Sequence, residues 1–188
     1  MIGGEAKVKI MRLFLLNKSK SFPAREVVKR SRVGSDAARR ELKLLHSIGF
    51  LKKRGNDFVF NVDFKYAKEI ESLLVTADTP NKDVILENFK KAGKVKLLLI
   101  SGIFIKNKDS RVDLLIIGDK MKKGKIEEGI RKLEAEIGTE LAYAVFETKE
   151  FLYRMSMYDK LVRDILDFPH EVLLQAKELA PALASKKS

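Results

Sequence analysis

Residues 35–62 carry the pattern that most restricts how this chain can fold: one amphipathic helical repeat followed at once by a hairpin signal. In Ser35–Gly49 (SDAARRELKLLHSIG), Ala38, Leu42, Leu45 and Ile48 recur at i, i+4, i+7 and i+10, which predicts a helix with a single buried stripe. Ser35 is placed to cap the N-terminus, Asp36 in the first turn complements the helix dipole, and Gly49 is placed to end the helix. Ala37, Arg39, Arg40 and Lys43 then point away from the stripe. FLKKRGNDFVFNV follows as two short apolar runs around Arg54–Gly55–Asn56–Asp57, a β-hairpin pattern.

Upstream, Ile10, Leu13, Phe14 and Leu16 repeat at helical spacing with Lys7, Lys9 and Arg12 between them, and polar Asn17–Ser21 ends the segment. Phe22 and Pro23 introduce a second, shorter helix, PAREVVKRS, which offers Val27 and Val28 to a core. Arg32–Val33–Gly34 is the turn into the third helix, with Gly34 the residue able to take positive φ. Charge is concentrated on this helix, helix, turn, helix, hairpin order. Residues 1–62 hold fifteen Lys and Arg against five Asp and Glu, a balance of +10 out of +12 for the chain. A field so placed points to a polyanionic partner.

The stretch from Phe22 to Val62, notably "ARRELKLLHSIGFLKK", resembles the winged-helix domains of prokaryotic transcription regulators. That resemblance implies double-stranded DNA as the partner, with the third helix entering the major groove. Ser35, Asp36 and Ala37 would sit at its groove-entering end. Arg39, Arg40 and Lys43 would supply phosphate and base contacts, and Lys52, Lys53 and Arg54 would form a basic wing. A homodimer is a further expectation, since such domains read paired half-sites; the first helix and Phe64–Ala77 are the candidate surfaces. Lys18 and Lys20 fit a solvated face. His46 fits a partly packed residue or a phosphate neighbour, and at least one of Phe58 and Phe60 belongs on the core.

Several classes drop out. There is no cysteine, and the two histidines, His46 and His170, lack metal-ligand spacing, so no metal site and no cofactor are expected. The longest apolar stretch lies near Leu97–Ile105 and is interrupted by Ser101 and Gly102, far short of the roughly 20 residues that span a bilayer. The first residues lack the succession of a signal peptide, so a cytoplasmic location without membrane contact is expected.

After residue 62 the charge nearly cancels, at +2. Phe64–Ala77 and Lys82–Ala92 are predicted helices, separated by Asp78–Asn81. VKLLLISGIFI, broken by Ser101–Gly102, and VDLLIIG are predicted strands around a polar loop, Lys106–Ser110. Lys122–Ile137 is an amphipathic helix through Ile126, Ile130, Leu133 and Ile137. LAYAVFE is a strand, Lys149–Asp167 a helix, and His170–Leu174 a short strand before a lysine-ended tail. From Val95 to Leu174 this order resembles the minimal nucleotidyltransferase fold of the polymerase-beta type.

Working members of that fold carry a Gly-Ser or Gly-Gly pair that lets phosphate approach, and an Asp-x-Asp pair plus a third acid that hold Mg²⁺. Here Ser101–Gly102 has the reverse order, and Asp113 is flanked by Arg111 and Leu115 where a second acid belongs. Glu147 or Asp119 can match the third acid but neither restores the pair. Metal-dependent transfer is therefore expected to be lost, with no catalytic residue and with Asp113 bracing the start of its strand. Ser101, Gly102, Arg111 and Asp113 remain as an expected pocket for a nucleotide or small anion.

The expected class is α+β. A winged helix-turn-helix spans 1–62, a helical linker 63–92, a small α/β nucleotidyltransferase-like domain with a mixed sheet 93–175, and a basic tail 176–188. Along most of its length the chain resembles a family of predicted prokaryotic, archaeal-type regulators, especially in "ARRELKLLHSIGFLKK", "SGIF" and "VDLLIIGD". The function implied is a DNA-binding transcription regulator whose C-terminal domain is a non-catalytic scaffold or ligand sensor. The alternatives are nucleotidyl transfer through Asp113 with the winged helix as targeting module, and a protein-interaction module that docks on an acidic partner.

Overall fold

The computed structural model describes residues 4–76, 80–107 and 109–184. The chain is mixed α+β, with a mixed sheet in its second half. It forms two compact units, residues 1–80 with 131–140, and residues 81–130 with 141–188.

In the first unit, α1 (Glu5–Leu16) buries Ile10, Met11, Leu13, Phe14 and Leu15, so it is apolar on several sides and lies inside the core. A two-residue strand, β1 (Ser21–Phe22), follows where no strand was expected. Next, α2 (Ala24–Ser31) starts directly after Pro23. The turn after it differs from expectation. Arg32 takes the left-handed conformation at φ 53 while Gly34 sits at φ −59. The buried Ser31 hydroxyl donates to Val27 O at 2.6 Å and accepts from Val33 N at 3.4 Å, which draws the reversal back to Arg32.

Helix α3 (Ser35–Ser47) therefore has Gly34 as its cap. Ser35 is the first residue inside, with no side-chain capping bond. Ala38, Leu42 and Leu45 are buried as the spacing requires, but Ile48 is 53% exposed because the helix has already ended at Ser47. Gly49 at φ 79 makes the exit, and Asn61 Nδ2 donates to its carbonyl at 2.7 Å. Strands β2 (Leu51–Arg54) and β3 (Asp57–Phe60) close around Gly55 at φ 61, and the antiparallel order is β1-β3-β2. Both Phe58 and Phe60 are buried.

Two segments expected elsewhere complete this core. Residues 63–76, expected in the linker, include α4 (Ala67–Glu71) and a wider turn, Ser72–Thr76; Leu74 is buried, with Phe64, Ile70 and Val75 packed beside it. Residues 131–140 also belong here, held by two buried polar side chains, one in α1 and one just after it. Arg12 Nε donates to Leu74 O at 2.8 Å and its guanidinium donates to Glu136 O at 3.0 Å. Just past the helix, Asn17 Nδ2 donates to Leu13 O at 2.8 Å and Gly138 O at 2.9 Å. Gly138, at φ 97, lies so close to α1 that a Cβ there would stand 2.6 Å from the Arg12 carbonyl carbon. Residues 77–79 of the expected linker and 185–188 of the expected basic tail lie outside the described residues.

The second unit opens with α5 (Lys82–Phe89), capped by Asn81, whose side chain accepts from Asp83 N. Then come β4 (Lys94–Ile100), β5 (Leu114–Asp119), α6 (Lys123–Ile137, whose last residues belong to the first unit) and β6 (Tyr143–Glu147). Helices α7 (Thr148–Ser156) and α8 (Lys160–Asp167) precede β7 (Glu171–Gln175) and α9 (Ala180–Ala184). The sheet order is β6-β5-β4-β7, antiparallel except for the parallel pair β5–β6. A parallel pair needs a crossover, and α6 lies between those two strands in sequence. Leu97–Ile100 and Leu114–Ile117 are buried throughout, which explains their unbroken apolar runs. Leu97, Leu99, Leu115 and Ile117 pack with Phe151 of α7 and Val162 and Ile165 of α8. The helix expected over 149–167 is two helices, broken at Tyr158 (φ 54) and restarted by Asp159, whose carboxylate accepts from Val162 N at 3.1 Å. Among the described residues no helix is long and apolar enough to cross a membrane.

Replacing Arg12 with Met keeps most of the apolar stem but leaves two buried carbonyls without donors. The expected loss is about 3 kcal/mol of unfolding free energy, read from denaturant midpoints.

Candidate nucleic-acid interface

Register decides which basic side chains the hairpin presents together. Leu51 pairs with Phe60 and Lys53 with Phe58, so Lys53 shares the face of the two buried phenylalanines, while Lys52 and Arg54 lie on the other. Lys53 Nζ sits 4.0 Å from the Phe58 ring centroid, a cation–π contact. On α3, Arg39, Lys43 and His46 follow at i, i+4 and i+7. These side chains, with Ala24, Leu42 and Phe58, line a depression of about 260 Å³. Buried Leu42 and Phe58 form its apolar floor; exposed Arg39, Lys43 and Lys53 carry its charge.

Folding sorts the remaining bases. Lys7 pairs with Glu41, Lys9 with Glu5 and Glu136, Lys18 with Glu71, and Arg30 with Glu26 and Glu140. Lys52 turns to Asp63 at 2.8 Å, which separates it from Lys53 and Arg54 in the expected wing. Arg40, Lys43, Lys53 and Arg54 have no acidic partner among the described residues. Arg39 meets Asp36 only at 4.0 Å with both side chains more than four-fifths exposed, a pair that solvent largely screens. Ser35 and Asp36 are exposed at the start of α3, whereas Ala37 packs against the core and presents little of itself.

His46, expected as a partly packed residue or a phosphate neighbour, follows Arg39 and Lys43 on the same face of α3 and lines the depression with them. Its Nδ1 lies 3.0 Å from Leu51 O and its ring meets Phe58 edge-on at 6.4 Å.

Residues singled out in the second unit make a backbone latch. Asp113 Oδ1 accepts from Ile103 N and Oδ2 from Ala142 N, both at 2.8 Å. Ser101 N donates to Asp113 O at 2.9 Å, and the buried Ser101 hydroxyl donates to Val112 O. Gly102, at φ 54, lies beneath the carboxylate: a Cβ there would stand 2.1 Å from Oδ1. Beside this contact the chain forms a 3₁₀ turn, Gly102–Ile105, at the break expected at Ser101–Gly102. Arg111 donates from Nε to Asp164 at 3.1 Å, away from the latch. The polar side chains of the expected anion pocket thus bond to neighbouring backbone groups or, for Arg111, to Asp164.

Asp119, at the end of β5, lies 2.6 Å from Lys96 Nζ, which also meets Glu178 at 2.5 Å. The Lys96 ammonium, hydrogen-bonded to Asp119, holds that carboxyl below its ordinary value. Asp119 first and Glu178 second hold the ammonium above its own. With both Asp113 oxygens on amides and Asp119 on an ammonium, these carboxylates do not fit a divalent cation. No group of three His, Asp or Glu among the described residues has that geometry.

No protein-family model, curated protein or solved structure matches the chain.

Two tests follow from this geometry. Gly102→Ala forces a Cβ into the Asp113 carboxylate at positive φ and is expected to lower stability by on the order of 2–4 kcal/mol, measured by chemical denaturation. The depressed Asp119 makes the Lys96 pair fully stabilising above the ordinary aspartate value of about 3.9, with that contribution lost as pH falls towards the lower folded value. Lys96→Met is therefore expected to flatten the acid limb of a stability-versus-pH curve.

Proposed function

We propose that this protein is a DNA-binding transcription regulator that reads duplex DNA with α3 and the β2–β3 hairpin. The observation that carries this reading is the set of four cations, Arg40, Lys43, Lys53 and Arg54, left without acidic partners on one helix and the hairpin that follows it. Phosphate binding requires cations not already neutralised, because affinity comes from releasing the counterions of the duplex. The order of α1, α2, α3 and hairpin, with β1 adding a third strand, supports a winged helix-turn-helix. Arg40 and Lys43 then take phosphate and base contacts on α3, and Lys53 and Arg54 the wing.

For the second unit we propose a scaffold derived from a minimal nucleotidyltransferase. Support comes from the antiparallel β4–β5 pair and the parallel β5–β6 pair with α6 between them in sequence. The non-catalytic part rests on Asp113, whose oxygens both serve the backbone of its own loops.

Duplex binding followed by fluorescence anisotropy tests the proposal. Four phosphate contacts give a slope of log K against log salt of about −3.6. Arg40→Ala with Lys43→Ala is expected to reduce that slope by about 1.8 and weaken binding at least tenfold, with the circular dichroism spectrum unchanged. Undiminished affinity in the double variant overturns the reading.

A further inference from the structure

We infer that His46 is a further phosphate-contacting residue of the α3–hairpin surface, and that it makes this contact only after taking up a proton. The inference rests on the DNA-binding reading and adds a residue and a pH dependence to it.

The chemistry follows from one hydrogen bond. Leu51 O is a carbonyl and can only accept, so His46 Nδ1, 3.0 Å away, must carry the hydrogen. In the neutral ring the other nitrogen, Nε2, is then a bare acceptor, with a lone pair that repels a phosphate oxygen. Protonation converts Nε2–H into a charged donor without disturbing the bond to Leu51. The imidazole is therefore held in one tautomer and orientation, and a single proton switches its free nitrogen from excluding an anion to binding one.

The surroundings favour an anion as the guest. The depression that His46 lines receives Arg39 and Lys43 from α3, Lys53 from β2, the Phe58 ring from β3, Leu42 from α3 and Ala24 from α2. No carboxylate is among its lining residues, so nothing there neutralises an imidazolium. A fourth positive charge in this group is unbalanced until an anionic oxygen arrives. A phosphodiester supplies that oxygen, and its sugar edge can lie over the apolar floor of Leu42 and Phe58. DNA binding is thus coupled to proton uptake at His46.

The test measures affinity for a labelled duplex between about pH 7.5 and pH 5.5 at constant ionic strength, the range in which histidine can gain a proton. Preferential binding of the imidazolium is expected to raise wild-type affinity several-fold from the upper pH to the lower and to steepen the salt slope by up to about 0.9. His46→Gln is expected to show neither change, and His170→Gln both. His46→Arg, which carries a fixed charge, is expected to bind at the upper pH as the wild type does at the lower, without pH dependence. That gain cannot arise from misfolding. Equal pH profiles in wild type and His46→Gln, with duplex binding intact, overturn the role of His46 alone. Absence of duplex binding by the wild type at every pH overturns the DNA-binding reading and this inference with it.

Discussion

A guanidinium buried in the first core sets the terms for much of this structure. Arg12 sits in the middle of α1 among Ile10, Met11, Leu13, Phe14 and Leu15, where an unsatisfied charge would cost more than the surrounding packing returns. Its donors are met by carbonyls 62 and 124 residues away in sequence, Leu74 O and Glu136 O. Neither carbonyl carries a pattern that sequence periodicity detects. Yet both must be present for α1 to be buried, and α1 is the helix against which α2 and α3 pack. The presentation of α3 is therefore tied to a largely buried charge.

The same sorting acts on the surface charges. Fifteen bases in the first 62 residues form an undifferentiated excess when counted. In the folded chain some are tied to acids brought from distant segments: Lys9 to Glu136, Lys18 to Glu71, Arg30 to Glu140. Arg40, Lys43, Lys53 and Arg54 on α3 and the hairpin are among the exposed cations that keep their charge available, together with Lys20, Arg25, Lys29 and Arg32. Lys52 and Lys53 show how fine the selection is. Adjacent in sequence, they leave opposite faces of one strand; one meets Asp63 and the other lies over Phe58.

In the second unit, a carboxylate in a position that suggests chemistry has a mechanical role. Asp113 joins the 3₁₀ turn after β4 to the residue before β6 by accepting from two backbone amides, and Gly102 supplies the missing side chain that lets it approach. Two amide donors on one carboxylate engage both of its oxygens and leave few lone pairs for any other ligand.

Much of this was legible in the residues. The stripe Ala38, Leu42, Leu45, the Gly49 exit, the Gly55 turn and the unbroken apolar runs of β4 and β5 are local patterns, and local sterics and periodicity determine them. The departures from expectation come from bonding that periodicity does not register. Arg32, not Gly34, takes the left-handed conformation beside local bonds of the Ser31 hydroxyl to Val27 O and Val33 N; β1 exists only because β3 pairs with it; and residues 63–76 and 131–140 join the first core through Leu74 and the bonds of Arg12 and Asn17. By itself the sequence determined the helices, the hairpin and the excess of positive charge, all set by contacts within a few residues. Only the tertiary structure decided which charges pair and which stay unpaired, because that depends on acids such as Glu71, Glu136 and Glu140 that the chain brings together from far apart.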